Sequence, residues 1–320
     1  MAITKNRQSQ EVLGKICENA FAEKGIMLAS TELTDGFCNA AYDIQLRSGK
    51  SVILKVAPLA SVKMMSYEVD MMKTEVGAMR LAREKGISGI PEVYYYDDSC
   101  EISSSACFVM EKLEGKRFCD VKYTMNDKEI SDVHIQIGRY LSDLHQIRHN
   151  QFGHFCNEKL QKDNWFDTFE MMLQSVIQDG INANIDIGVP YTEIQELLSK
   201  QKHVFSEVTE ASLVHWDSWE GNIFVNNGVI SGFIDWERAM WGDPLMEDRF
   251  RAHSVNSDFL EGYGIKEFTK MQKARCRWYD VYLYLIMMFE GFYRQYPDDS
   301  QYQWVHAVFI PIWEEMKKFV

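Results

Sequence analysis

Apolar residues recur at helical spacing from Ser9 to Ala22, where Val12, Leu13, Ile16, Ala20 and Phe21 form one stripe, so an amphipathic helix is expected to open the chain. The pattern then changes. Gly36 to Ile44 and Ser51 to Val56 read as strands joined by a hairpin over Ser48-Gly49-Lys50. A helix follows from about Tyr67 to Glu84, with Val69, Met72, Val76 and Met79 as its buried stripe. Ile90-Pro91 ends that unit, and Val93 to Asp97 and Ala106 to Leu113 read as two further strands around a Ser-rich turn. Beyond Glu114-Gly115-Lys116-Arg117 the period is mostly helical, over Ile130 to Ile147, Trp165 to Gln178 and Tyr191 to Lys202, and again from Pro244 towards Val320. The chain therefore reads as α+β, with a strand-rich unit over residues 1–113 and a helix-rich one over 114–320. Ligands bind preferentially at such junctions.

One stretch interrupts the helical part. Ile223 to Val225 and Val229 to Ile234 flank Asn226-Asn227-Gly228, and Asn-Gly between apolar runs is a strong hairpin signal. A two-residue turn at Asn227-Gly228 pairs Val225 with Ile230 and sets Asn222 opposite Phe233, with Asp235 diagonal to Asn222 on the same face. Asp217 sits at the open end of that hairpin. Two carboxylates and a carboxamide are thereby gathered, and side-chain oxygens at this separation can share Mg²⁺, which takes oxygen ligands at about 2.0–2.1 Å.

His215-x-Asp217-x-x-x-x-Asn222 with a second Asp on the returning strand is a spacing used for phosphoryl transfer. A substrate hydroxyl needs a carboxylate to take its proton, and phosphates need metal ions held by oxygens. The strand Ser51 to Val56 adds Lys55, on the same face as Ile53, where a buried ammonium needs an anionic partner. Glu75, beside Val76 on the following helix, is the expected partner, with Glu68 as its rival. Such a pair would aim Lys55 at a nucleotide's phosphates. His145 and His149, four apart, invite a metal reading, but no third ligand of suitable spacing accompanies them, and they read as structural.

Composition narrows the partners. The chain has 320 residues, a net charge of -13 and seven scattered cysteines without a Cys-x-x-Cys pair. Acidity argues against nucleic acid as a partner, and the odd, unclustered thiols favour a reduced, cytoplasmic setting. The polar Met1 to Gln10 carries no apolar signal core, and Val281 to Phe289, bounded by Asp280 and Glu290, is too short to span a membrane and reads as a buried helix. After Leu113 the chain has 32 acidic and 21 basic residues, an imbalance that would attract a cationic small substrate.

On these residues the chain resembles the aminoglycoside phosphotransferases and their relatives, among them choline and ethanolamine kinases, homoserine kinase and macrolide phosphotransferases. The resemblance rests on Val52 to Val56 with Lys55, Glu75, Phe108 to Leu113, His215 to Val225, Ser231 to Asp235 and Gly242-Asp243-Pro244, and it covers about residues 30 to 250. It implies a protein-kinase-like two-lobe fold with a five-stranded N-terminal sheet, ATP (with GTP as an alternative) and Mg²⁺ as cosubstrates, and O-phosphorylation of a small molecule. By the same resemblance Asp217 would act on the acceptor hydroxyl, Asn222 and Asp235 would hold Mg²⁺, Lys55 would contact the phosphates, and the backbone of Glu111 and Leu113 would bind the adenine.

Two departures stand out. Trp216 replaces the family's usual Gly between His and Asp, and Glu247 stands three residues after Gly-Asp-Pro, where an Asp is usual, with Asp248 beside it. Asp-Phe-Gly and Ala-Pro-Glu are missing and only seven residues separate Asp235 from Asp243, too few for an activation segment, so a protein substrate is not expected. The acceptor is left open among amino sugars, choline-like cations, amino-acid-derived alcohols and macrolides. A nucleotide-binding regulator without catalysis is the alternative from another class; hydrolase chemistry at Ser218 lacks a Gly-x-Ser-x-Gly elbow.

Overall fold

A computed structural model describes residues 3–36 and 38–318. The strand expected from Gly36 to Ile44 includes Phe37, which lies outside the described residues together with Met1, Ala2, Phe319 and Val320. The opening helix α1 is Gln10–Phe21, capped by Ser9, whose side chain accepts from the Val12 amide. An antiparallel sheet follows, built from β1 (Met27–Leu33), β2 (Ala40–Leu46), β3 (Ser51–Val56), β4 (Val93–Asp97) and β5 (Cys107–Glu111) in the order β1-β2-β3-β5-β4. Strand β1 leaves no clean mark in the sequence because it is an edge strand with mostly exposed or half-exposed side chains.

The two faces of this sheet serve different ends. Leu13, Ile16 and Cys17 of α1 cluster with Tyr42, Ile44, Leu54, Val56 and Val109 on one face. On the other, Phe108 and Met110 join Val76 and Met79 of helix α2 (Met71–Glu84). Lys55 alternates with Leu54 and Val56, so it points to the α2 side. Helix α2 begins at Met71, four residues later than expected. Asp70 at its N-terminus is left-handed (φ 50°), and the preceding residues are spent on distant partners: Ser66 N–H donates to Asp179 (2.8 Å), Tyr67 Oη to Glu290 (2.6 Å), and the Val69 carbonyl receives His154 Nε2 (2.7 Å).

The remainder holds β6 (Lys116–Arg117), α3 (Phe118–Val121), α4 (Asp127–Leu144), β7 (Arg148–His149), β8 (Phe152–His154), β9 (Gln161–Lys162), α5 (Trp165–Asn182), α6 (Tyr191–Lys200), β10 (Ala211–Val214), β11 (Ile223–Asn226), β12 (Val229–Phe233), β13 (Met240–Gly242), α7 (Ser257–Tyr263), α8 (Lys270–Tyr293) and α9 (Ser300–Met316). Strand β13 lies between Asp235 and Pro244, where the apolar pattern marks no element: Val214 pairs with Met240 and Ser212 with Gly242. A three-residue buried strand is too short to show alternation. Sheets β7-β10-β13-β8-β9 and β12-β11-β6 frame the loop that carries Asp217. No helix among the described residues is long and apolar enough to cross a membrane, and all seven cysteines are free.

Candidate active site

The β11–β12 hairpin turns at Asn227 (φ 50°) and Gly228 (φ 77°), both left-handed as a type I′ turn demands. Val225 pairs with Ile230 as expected, but the next pairs are Phe224 with Gly232 and Ile223 with Phe233. A bulge at Ser231 therefore corrects the register that set Asn222 opposite Phe233. Its cause is a close approach: a Cβ on Gly232 would lie 2.2 Å from the Gly89 carbonyl, which instead accepts the Phe233 amide at 3.1 Å. The slip leaves the Asn222 carbonyl accepting Ile234 N–H at 3.0 Å, which moves Asp235 one residue nearer to Asn222 than a regular hairpin would.

Five of the candidate side chains bond in two groups, Asp217 with Asn222 and Lys55 with Glu75 and Asp235. Asn222 Nδ2 donates to the Asp217 backbone carbonyl (2.9 Å) and to Asp217 Oδ2 (3.2 Å). With its nitrogen so committed, the amide has its oxygen left as the atom that could serve as a neutral ligand. Lys55 Nζ donates to Glu75 Oε1 at 2.5 Å and also to Asp235 Oδ1. Between Glu75 and Glu68, Lys55 has therefore taken Glu75, while Glu68 pairs with Arg294. Burial alone would lower the Lys55 pKa, but Asp235 and Glu75 outweigh it and hold the ammonium charged. Asp235 itself is left-handed (φ 61°), a strained geometry for a residue with a side chain. Glu111 stays at the end of β5, its amide spent on the Glu92 carbonyl (2.8 Å), and Leu113 follows with its side chain against Gly232.

The loop around Asp217 is braced from behind. Glu247 Oε1 accepts His215 N–H (2.6 Å), and its Oε2 accepts Trp216 N–H (3.0 Å) and Ser218 Oγ (2.8 Å). Asp248 turns elsewhere, to His253 and Ser254. Of the two acidic residues, Glu247 thus takes the place behind the loop. His145 completes that brace with Nε2 3.2 Å from Glu247, while His149 bonds Gln151 and stacks on Trp241, so neither histidine is a free ligand. His215 Nε2 donates to the Ile234 carbonyl at 3.0 Å, tying the loop to the strand that delivers Asp235. Burial pushes the Asp217 carboxyl up to about 6, against the pull of Arg238.

Trp216 is left-handed (φ 67°), which accounts for the glycine usual at this point. Its ring stacks on Tyr282 (centroids 5.6 Å apart) and meets Tyr67 edge-on (5.9 Å). Several neighbours of the site escape the sequence reading: Lys5 Nζ donates to the Asn39 carbonyl (2.8 Å), Asn39 Nδ2 to Glu237 (2.7 Å), and Arg238 to Glu290 (2.5 Å). Nothing local announces them, because the partners lie 34, 198 and 52 residues apart.

The family model "Phosphotransferase enzyme family" matches residues 30–247. An aminoglycoside 3'-phosphotransferase of Enterococcus faecalis is 27% identical over 120 residues, 37% of this chain and 44% of that protein, so the chain matches less than half the length of this relative. Among solved structures, a thermostable mutant of aminoglycoside phosphotransferase APH(4)-Ia in its apo form superposes with a TM-score of 0.67 at 17% identity, covering 94% of this chain and 98% of the other. The streptomycin–ATP complex of APH(2'')-IIa gives 0.63 at 16% identity, with 95% and 97% covered. At such identities the likeness concerns the fold, an α+β, protein-kinase-like arrangement of two lobes.

Proposed function

We propose, since the chain belongs to the phosphotransferase enzyme family, that it is an ATP-dependent kinase transferring a phosphoryl group to a hydroxyl of a small molecule in the cleft between its lobes. We place the lobe boundary at Leu113–Glu114, where β5 gives way to the helical part. The observation that carries the reading is the bonded run from Asp217 through Asn222 and Ile234 to Asp235, and on through Lys55 to Glu75. That run supplies a proton acceptor, a cation and hard oxygens at one place, as phosphoryl transfer requires.

The donor set fits Mg²⁺: the Asn222 carbonyl oxygen is neutral, the Asp235 carboxylate is anionic, and the Asn222 nitrogen is already committed to Asp217. Bound there, the ion would neutralise nucleotide phosphates. Lys55, held charged between two carboxylates, would bind the phosphate oxygens, and the Glu111 carbonyl with the Leu113 amide would receive the adenine; GTP is an alternative nucleotide. Asp217 would orient the acceptor hydroxyl and take its proton as the oxygen–phosphorus bond forms and the bond to the leaving ADP breaks.

Structural relatives bound to ATP and streptomycin are consistent with a small-molecule acceptor. The test is ATP consumption by purified protein against a panel of amino sugars, choline-like cations, homoserine-like alcohols and macrolides, repeated with Asp217→Asn. Turnover with one class, abolished in the variant while ATP still binds, is expected. Undiminished phosphorylation by Asp217→Asn would remove Asp217 from its role, and ATP binding without turnover on any class would favour a regulator.

A further inference from the structure

Lys5 belongs to none of the motifs in the sequence, yet its ammonium stands beside the site. Its Nζ donates to the Asn39 carbonyl at 2.8 Å, and Asn39 Nδ2 donates to Glu237, two residues after Asp235. Asp235 lies within its electrostatic reach: burial lowers the Lys5 pKa, and Glu32 and Asp235 are among the charges that raise it. Of the three N–H donors of an ammonium, one has a partner among the described residues, and that partner is a neutral carbonyl. Glu32 is not available, because Arg7 Nε holds both of its oxygens at 2.9 Å. A half-buried cation so placed favours an anionic partner. Apart from its chain neighbours, a Cβ on Gly36 would meet Lys5 Nζ alone among the described residues, at 3.7 Å, so the space beside the ammonium is open.

The segment that carries Lys5 is held on both sides. Ile3 N–H donates to the Arg294 carbonyl just after α8 (3.4 Å), Asn6 Nδ2 to the Ala57 carbonyl (3.1 Å) and Ser105 Oγ (3.0 Å), and Gln8 N–H to Tyr42 Oη (2.8 Å). Little ordering is left for an arriving ligand to impose. The sheet register decides which part of a nucleotide Lys5 would meet. Val52 pairs with Glu111, at the proposed adenine position, and Val56 with Cys107, so β3 runs from that position past Lys55. Ala41 pairs with Lys55 and Ala40 with Val56. Asn39 is therefore two residues beyond the partner of Lys55, farther from the adenine by roughly 7 Å at about 3.3–3.4 Å per residue.

We propose that Lys5 is a further nucleotide-binding residue, whose ammonium contacts the terminal phosphate of the bound triphosphate and so favours the triphosphate over the diphosphate product. The proposal rests on the kinase reading, but its test needs neither turnover nor an acceptor. The full chain is titrated calorimetrically with Mg–ATP and Mg–ADP, and with the GTP and GDP pair in parallel. Lys5→Met should weaken triphosphate binding roughly tenfold or more, the factor expected for one hydrogen bond between charged groups, and leave diphosphate binding within about twofold. Lys5→Gln, which keeps a donor for the Asn39 carbonyl but no charge, should lose the same preference. Lys5→Arg, which keeps the charge, should retain most of it.

Triphosphate and diphosphate weakened alike, or neither weakened, would overturn the proposal and leave Lys5 as a brace for Asn39. Should Lys5→Met misfold, the comparison of Lys5→Gln with Lys5→Arg still decides. A wild type that binds neither nucleotide would overturn the kinase reading together with this proposal, whereas a wild type that binds both, with variants that do not tell them apart, would overturn the role of Lys5 alone.

Discussion

Glu247 Oε2 accepts the backbone N–H of Trp216 at 3.0 Å, while the same carboxylate's other oxygen holds the His215 amide. Two adjacent amides of the loop before Asp217 are thus fixed by one fully buried side chain. Glu247→Ala leaves at least two buried donors without partners, and at about 1–3 kcal/mol each the loss should reach several kcal/mol. Glu247→Gln should also destabilise, because its NH₂ group must face one of those N–H donors. Urea denaturation of both variants checks this; an unchanged midpoint for either would show that the loop holds itself.

Trp216 sits at φ 67°, where glycine is at ease and a side chain is not. Removing the ring should cost about 3–5 kcal/mol through lost packing, but Gly should recover about 1 kcal/mol that Ala cannot. Trp216→Gly is therefore expected to be more stable than Trp216→Ala. The reverse order in thermal unfolding would mean that the backbone carries no strain here.

Lys55 and Glu75 form a buried pair whose members depend on each other. Glu75→Gln alone weakens the hold on Lys55, and Lys55→Met alone strands Glu75 in the interior, a change that typically costs about 3–5 kcal/mol. The double variant Lys55→Met/Glu75→Gln should be more stable than Lys55→Met while binding ATP no better. Equal stability of the single and double variants would contradict the coupling.

His134 provides a pH dependence. Burial first, and then the nearby Arg249, push its imidazole down to about 4, from an unperturbed value of about 6.5. Its Nδ1 accepts Arg249 Nη2 at 3.0 Å, a bond only the neutral ring can take. The folded state therefore excludes a proton that the unfolded state binds, so this contribution is complete above about pH 6.5 and is lost as pH falls towards 4. His134→Gln should flatten the decline in stability across that window; an identical decline would exclude His134 as its source.

How far the sequence carries the fold depends on the range of the forces involved. The Asn227-Gly228 turn, the α1 cap at Ser9 and the apolar stripe of α2 are local, and each can be read from neighbouring residues. Lys55 and Glu75 were also legible, since a charge on an apolar strand demands a partner on the element packed against it. The bulge at Ser231 was not, because it answers to Gly89 on a distant loop. Nor was the Tyr67–Glu290–Arg238 group, whose partners are brought together only when the segment before α2, helix α8 and the segment after Asp235 pack.

The proposed arrangement, in which Asn222 and Asp235 hold one divalent ion at a nucleotide's tail beside Asp217, can be tested without knowing the acceptor. ATP titrated into the wild type and into Asp235→Asn, each with and without Mg²⁺, isolates the ion's share of binding. The account predicts Mg²⁺-dependent binding in the wild type and loss of that dependence in the variant. Mg–ATP bound by Asp235→Asn as tightly, and with the same metal dependence, as by the wild type would contradict it.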